Sequence, residues 1–155
     1  MSNPFMKRAI ELAVENVRLE QGGPFGAVIV RDGVMVAEGH NMVTSGCDPT
    51  AHAEVTTIRL AAKALGTFDL SGCEIYSSCE PCPMCLGAIY WARLDRIYFG
   101  CTQHDAADAG FDDSLIYDEI RRSLSERRIP IVGLDRGEAM EAFDAWKASN
   151  AKIGY

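Results

Sequence analysis

No apolar run in this 155-residue chain approaches the ~20 residues that a membrane-spanning helix needs. The N-terminal stretch, Met1 to Glu20, is charged and amphipathic and lacks the apolar core of a secretory signal. Lysine and arginine form no block, and acidic residues outnumber them 22 to 15, for a formal net charge of −7. Domains that grip nucleic acid normally carry a basic patch to neutralise phosphates. The composition therefore predicts no nucleic-acid partner and favours a small, neutral substrate. The six cysteines lack the regular spacing of a disulfide framework, which predicts reduced thiols in a cytoplasmic protein with no membrane association. No internal repeat, linker or low-complexity stretch divides the sequence. Its length fits one domain, residues 1–155, with room for a real core.

What is present is concentrated in two short segments, His52-Ala53-Glu54 and Pro81-Cys82-Pro83-Met84-Cys85. Together they offer three zinc ligands, His52, Cys82 and Cys85, and one carboxylate, Glu54, that is not needed as a ligand. Structural zinc sites are closed by four protein ligands, whereas catalytic ones keep a position open for water. Three ligands plus a spare acid are thus the inventory of a hydrolytic centre with one Zn2+ per chain. Thiolate and imidazole donors with an open tetrahedral position also favour zinc over other metals.

Hydrophobic spacing organises the chain around these segments. Asn3-Pro4 reads as a helix start, and Met6, Ile10, Ala13, Val14 and Val17 define its expected apolar face; Gly22-Gly23-Pro24 ends it. Phe25 to Arg31 and Val34 to His40 read as strands joined at Asp32-Gly33, a strong hairpin signal. After a loop from Asn41 to Asp48, a second helix is expected from Pro49 or Thr50, with Val55, Ile58, Ala62 and Leu65 inward. Cys73 to Ser78 reads as a buried strand. Pro81 opens a third helix, ending near Ala92, whose run of apolar residues (Leu86, Ala88, Ile89, Tyr90, Trp91) predicts burial all round. Arg96 to Cys101 is a further strand, followed by a helix from Asp113 to Arg122 and a short strand, Pro130 to Leu134. A last helix from about Glu138 carries Ala139, Ala142, Phe143 and Trp146 on one side. A hairpin followed by alternating helices and strands predicts a three-layer α/β/α domain with a mixed sheet of about five strands.

Both halves of the motif fall at expected helix N-termini, where exposed N–H groups amount to roughly half a positive charge. That field favours the thiolates of Cys82 and Cys85 and disfavours a protonated His52. Cys82 and Cys85, three apart on a helix, face the same side. Glu54 shares the helical turn of His52 and is placed to shuttle a proton. An alternative stays open: Cys79-x-x-Cys82-x-x-Cys85 with His52 supplies a closed, structural Cys3His site, although it leaves Glu54 idle. Cys47, Cys73 and Cys101 read as core or loop residues, and His40 and His104 as local hydrogen bonders.

With these segments in place, the chain resembles the cytidine-deaminase-like superfamily of zinc-dependent deaminases. Within it, the likeness is greatest to bacterial guanine deaminases. It rests on Gly22-Gly23-Pro24-Phe25-Gly26-Ala27-Val28, Asp48 through Val55, Ser78 through Arg93, Ala109-Gly110-Phe111-Asp112-Asp113-Ser114 and the terminal Tyr155. The first three say only that the chain is a deaminase; the Ala-Gly-Phe-Asp-Asp segment and the tyrosine suggest guanine. The resemblance implies zinc on His52, Cys82 and Cys85 and proton shuttling by Glu54, converting guanine to xanthine and ammonia in purine salvage or catabolism. It further implies Asn41 as a hydrogen-bonding partner of the purine, Phe25, Trp91 and Tyr155 as apolar or stacking walls, and Asp113 as a polar contact. Phe25 and Trp91 read equally as core residues, and Asp113 as a helix cap. A homodimer is implied too, with C-terminal segments either retained or exchanged, so that Asp113 and Tyr155 complete their own site or a neighbour's. The same motif serves other small amines (cytosine, adenine, cytidine, a triazine amine) and tRNA adenosine, the last disfavoured by the acidic balance. A non-catalytic zinc module is the remaining alternative, and the intact Glu54 argues against it.

Overall fold

The computed structural model describes residues 3–155; Met1 and Ser2, which open the amphipathic N-terminal stretch, lie outside the described residues. The chain divides into two compact units, the first ending at Asp113 and the second running Ser114–Tyr155.

The first unit is built on a four-stranded sheet in the order β2-β1-β3-β4. Strands β1 (Gly26–Arg31) and β2 (Val34–His40) form the expected hairpin. Its two turn residues, Asp32 and Gly33, both take positive φ, as a tight two-residue turn requires. Strand β3 (Cys73–Cys79) pairs antiparallel with β1 and parallel with β4 (Arg96–Cys101). Helix α1 (Pro4–Arg18) covers one face, where Ala9, Leu12, Val28, Val30 and Tyr76 form a core. Helices α2 (Ala53–Leu65) and α3 (Pro83–Trp91) belong to the other side, where Ala27, Ile29, Ala53, Ala61, Ile75 and Ile89 form the second core. The result is the expected layered α/β arrangement around a mixed sheet.

The sheet has four strands where about five were expected. No ladder forms over residues 130–134 among the described residues, and Ile131, Val132 and Leu134 are exposed. Branched residues favour a strand only when a neighbour accepts their backbone hydrogen bonds.

Helix α1 starts at its Asn3 cap, whose Oδ1 accepts from the Phe5 and Met6 N–H groups. Its buried face follows hydropathy only in part. Ala13 faces inward and Met6 packs against the core as expected, but Ala9, Leu12 and Asn16 complete the inner face, while Ile10, Val14 and Val17 are exposed. Close approach decides the matter. A Cβ at Gly26 would run into the Ala9 carbonyl and come within 2.7 Å of the Leu12 Cβ and 2.8 Å of the Ala13 N, so the helix docks by its small-residue face.

Helix α2 begins later than expected because Asp48 holds the preceding turn: its carboxylate accepts from the Thr50 N–H at 2.8 Å and hydroxyl at 2.6 Å. A short helix α4 (Gln103–Asp108) follows β4, started by a reciprocal Thr102–Asp105 capping box that the sequence reading passed over. Helix α3 is not buried all round: Cys85 and Ile89 point inward, whereas Tyr90 and Trp91 are 76 % and 69 % exposed.

The second unit holds α5 (Ser114–Arg121), a 3-10 turn at Leu124–Glu126 and α6 (Arg136–Ala148). None of its helices contains a buried residue, and Phe143 and Trp146 of the expected inner side of α6 are exposed. No helix among the described residues is long and apolar enough to cross a membrane.

Candidate metal centre

The site is assembled where β3 ends and two helices begin. His52 is the N-cap of α2 and Cys82 the N-cap of α3, and neither side chain makes a capping hydrogen bond. Both are turned instead toward a common point, joined by Cys85 from the first turn of α3. The ligand atoms of His52, Cys82 and Cys85 lie within 4.8 Å of one another, the only such cluster among the described residues. His52 Nδ1 stands 3.5 Å from each of the two sulfurs. Zinc bonds of about 2.3 Å to sulfur and about 2.0–2.1 Å to nitrogen, at a tetrahedral angle, put those atoms about 3.5–3.6 Å apart. The donor set and its spacing therefore fit zinc with a fourth position left over. Cys79 is outside the cluster. Its thiol is buried, donates to the Thr102 carbonyl at 3.6 Å and is pushed up by burial to about 11, so the closed Cys3His alternative lacks its fourth ligand.

Electrostatics prepares one thiolate. The Cys85 thiol beside it, and then the His52 ring, hold Cys82 down to about 4. Cys85 is pushed up by the same sharing and by burial. His52 is raised, chiefly through its contact with Cys82. The direction is opposite to the one expected from the helix N-terminus, and a metal bound there would take the place of that proton.

Glu54, in the first turn of α2, is 6 % exposed and not a member of the ligand cluster. Burial pushes its carboxyl above the ordinary range. Ser77, on β3 and itself buried, donates to Oε1 at 3.1 Å, while Oε2 lies 3.4 Å from the Cys85 sulfur. Ser77 was not singled out from sequence; a hydroxyl inside the buried run Cys73 to Ser78 was the available signal.

Asn41 follows β2 and is 6 % exposed. Its Oδ1 accepts from the Gly23 N–H at 3.3 Å and the Val43 N–H at 3.2 Å. Phe25, just before β1, is half-buried and meets Phe111 edge to face, with ring centroids 5.0 Å apart. Asp113 is half-buried, and its carboxyl is pushed up by burial and by the negative Cys82 sulfur. Trp91 ends α3 with its ring largely exposed, and Tyr155, in the second unit, is 73 % exposed.

Comparison with known proteins adds a lineage to this geometry. Residues 2–101 match the cytidine and deoxycytidylate deaminase zinc-binding region. The chain is 56 % identical to a guanine deaminase of Bacillus subtilis over 92 % of each sequence. It is 38 % identical to a tRNA-specific adenosine deaminase of the same organism, over 90 % of this chain and 86 % of the relative. The crystal structure of the B. subtilis guanine deaminase superimposes with a TM-score of 0.96 at 53 % identity, covering 100 % of this chain and 99 % of that one.

Proposed function

The chain belongs to the zinc-binding cytidine and deoxycytidylate deaminase family, and on that premise we infer that it hydrolyses guanine to xanthine and ammonia. One observation carries the substrate: 56 % identity with a guanine deaminase, maintained over 92 % of both chains, against 38 % with the tRNA-specific enzyme. The net charge of −7 also disfavours a tRNA substrate.

His52, Cys82 and Cys85 hold the zinc. When bound there, zinc supplies Lewis acidity that lowers the pKa of water from about 15.7 to about 7. Glu54 performs the proton transfers. With Oε1 held by Ser77, Oε2 takes a proton from the attacking water and passes it to the ring nitrogen beside C2 of guanine. The water oxygen bonds to C2. Glu54 then carries the second water proton to the C2 amine, which leaves as ammonia while the carbonyl of xanthine forms. A carboxyl already raised by burial suits a group that must both accept and release a proton.

Asn41 donates through Nδ2 to the purine, and Asp113 accepts from an N–H on it. Phe25, Trp91 and Tyr155 supply flat walls, which a planar base requires. A homodimer is supported by the outer edge of β4, the last strand of the sheet, and by Tyr90, a large exposed aromatic surface that a partner chain would cover. The apolar segment 130–134 fits the same picture. The six cysteines, all unpaired, support a cytoplasmic location.

The test is ammonia release from guanine by purified, zinc-loaded protein, beside adenine, cytosine, cytidine and a triazine amine. A clear preference for guanine is expected. Turnover of another amine alone would overturn the pocket assignment, and silence on all of them would overturn the enzyme.

A further inference from the structure

One buried polar side chain has no part in the mechanism above. Asn16 lies on the inward face of α1 beside Leu12 and Ala13 and is 2 % exposed. An apolar residue would suit such a place. Instead, Asn16 Nδ2 donates to the Gly23 carbonyl at 2.8 Å and to the Asn41 carbonyl at 2.9 Å. These two acceptors belong to separate segments, the loop leading into Phe25 and the chain leaving β2. Two further bonds knit the segments together: the Gly23 N–H donates to Asn41 Oδ1, and the Asn41 N–H donates to the Phe25 carbonyl at 3.0 Å.

The arrangement is close-fitting and comes at a cost. Asn16 Oδ1 is buried with no hydrogen-bond partner among the described residues, a penalty that an apolar residue would avoid. The position is therefore polar for the sake of the two bonds made by Nδ2. Gly22 sits against the same junction: a Cβ there would run into the Asn41 carbonyl and come within 3.0 Å of Asn16 Nδ2.

We propose that Asn16 is a positioning residue for the substrate, a latch that fixes the Gly23 and Asn41 carbonyls and so holds the Asn41 amide and the Phe25 ring in register for the purine. The proposal rests on the assignment of Asn41 to the guanine pocket. Asn41 holds the ring and transfers no proton, so its displacement weakens substrate and transition state alike. Such a loss raises KM and leaves kcat nearly unchanged.

The experiment is a kinetic cycle on zinc-loaded protein with guanine, using Asn16→Leu, Asn41→Ala and the double variant, with thermal unfolding measured on each. Asn16→Leu keeps the branched outline, with a larger volume, and removes both N–H donors. Its KM should rise about tenfold with kcat within about twofold. In the Asn41→Ala background the same change should add less than about twofold, because the two residues act as one unit. Gly22→Ala, whose added Cβ meets the Asn41 carbonyl from the loop before Phe25, should reproduce the KM rise and carries the test should Asn16→Leu fail to fold. Lowered melting temperatures with parental KM in Asn16→Leu and Gly22→Ala would reduce the latch to a structural bond and overturn the proposal. Fully multiplicative effects in the double variant would overturn it as well. Parental KM in Asn41→Ala would instead bring down the pocket assignment itself.

Discussion

Replacing Glu54 with glutamine isolates proton transfer from the other duties of that side chain. The residue is 6 % exposed, so truncation would leave a cavity, whereas an amide keeps the volume. The amide oxygen can still accept from Ser77, which donates to Oε1 at 3.1 Å. The NH2 then faces the Cys85 sulfur, 3.4 Å from Oε2, which is an acceptor once it ligates metal. Folding stability should therefore stay within about 1 kcal/mol of the parent, and zinc should remain stoichiometric. General acid–base catalysis is worth about 100- to 10,000-fold, or about 2.7–5.4 kcal/mol. One carboxylate serves two transfers here, so a loss of about 100-fold in kcat is a floor. Ammonia release, zinc content by emission spectrometry and thermal unfolding measure the three quantities on one preparation. A kcat within about tenfold of the parent, with zinc bound, would refute the proton shuttle. A rate that merely tracked lost zinc would refute the separation of roles.

Two further predictions concern the scaffold. Gly26→Ala would push a methyl group into the backbone of α1 at Ala9 and Ala13, and should cost about 1–3 kcal/mol in urea unfolding; parental stability would show that α1 docks more loosely than described. Arg8 grips Glu38 through two bonds of 2.7 and 2.6 Å, tying α1 to β2 and lowering the Glu38 pKa from its ordinary 4.5. Each side chain is about a third exposed, so solvent screening limits Glu38→Gln to about 1 kcal/mol. Because the folded-state pKa is the lower one, that contribution is complete above the unfolded value and fades as pH falls through the folded one. Parent and variant should differ in unfolding free energy near pH 7 and converge as pH falls through the lowered folded-state pKa; a pH-independent difference would assign the effect to packing.

Much of this architecture was legible in the chain. The strands from Gly26 to His40, from Cys73 and from Arg96 to Cys101 follow from branched residues and the Asp32-Gly33 turn, all local signals. The cluster of His52, Cys82 and Cys85 was equally plain, because the three announce themselves by spacing. What escaped depends on contacts between distant segments. Hydropathy placed Ile10 and Val14 beside Ala13 on the inner face and passed over Ala9, yet beside Gly26 the sheet accepts only the two alanines. The late start of α2 depends on the Asp48 side chain, and α4 on a two-residue capping exchange. Asn16 and Ser77 look like unremarkable polar residues until the fold shows whose carbonyl and whose carboxylate they meet. The expected strand over 130–134 marks the same boundary, since strand formation belongs to a pair of segments and not to one.

His52 and Cys82 occupy the positions at which helices most benefit from Ser, Asp or Asn, and neither supplies the bond such residues would make. Both cap side chains are turned toward the ligand cluster instead. A chain selected only for the endurance of its metal-free fold would drift toward Cys82→Ser and His52→Asn, gaining up to about 1 kcal/mol at each helix start. Every such gain would dismantle the centre. Activity here is maintained against a standing pull toward a sturdier, inert protein, and that pull acts at the two residues least able to yield to it.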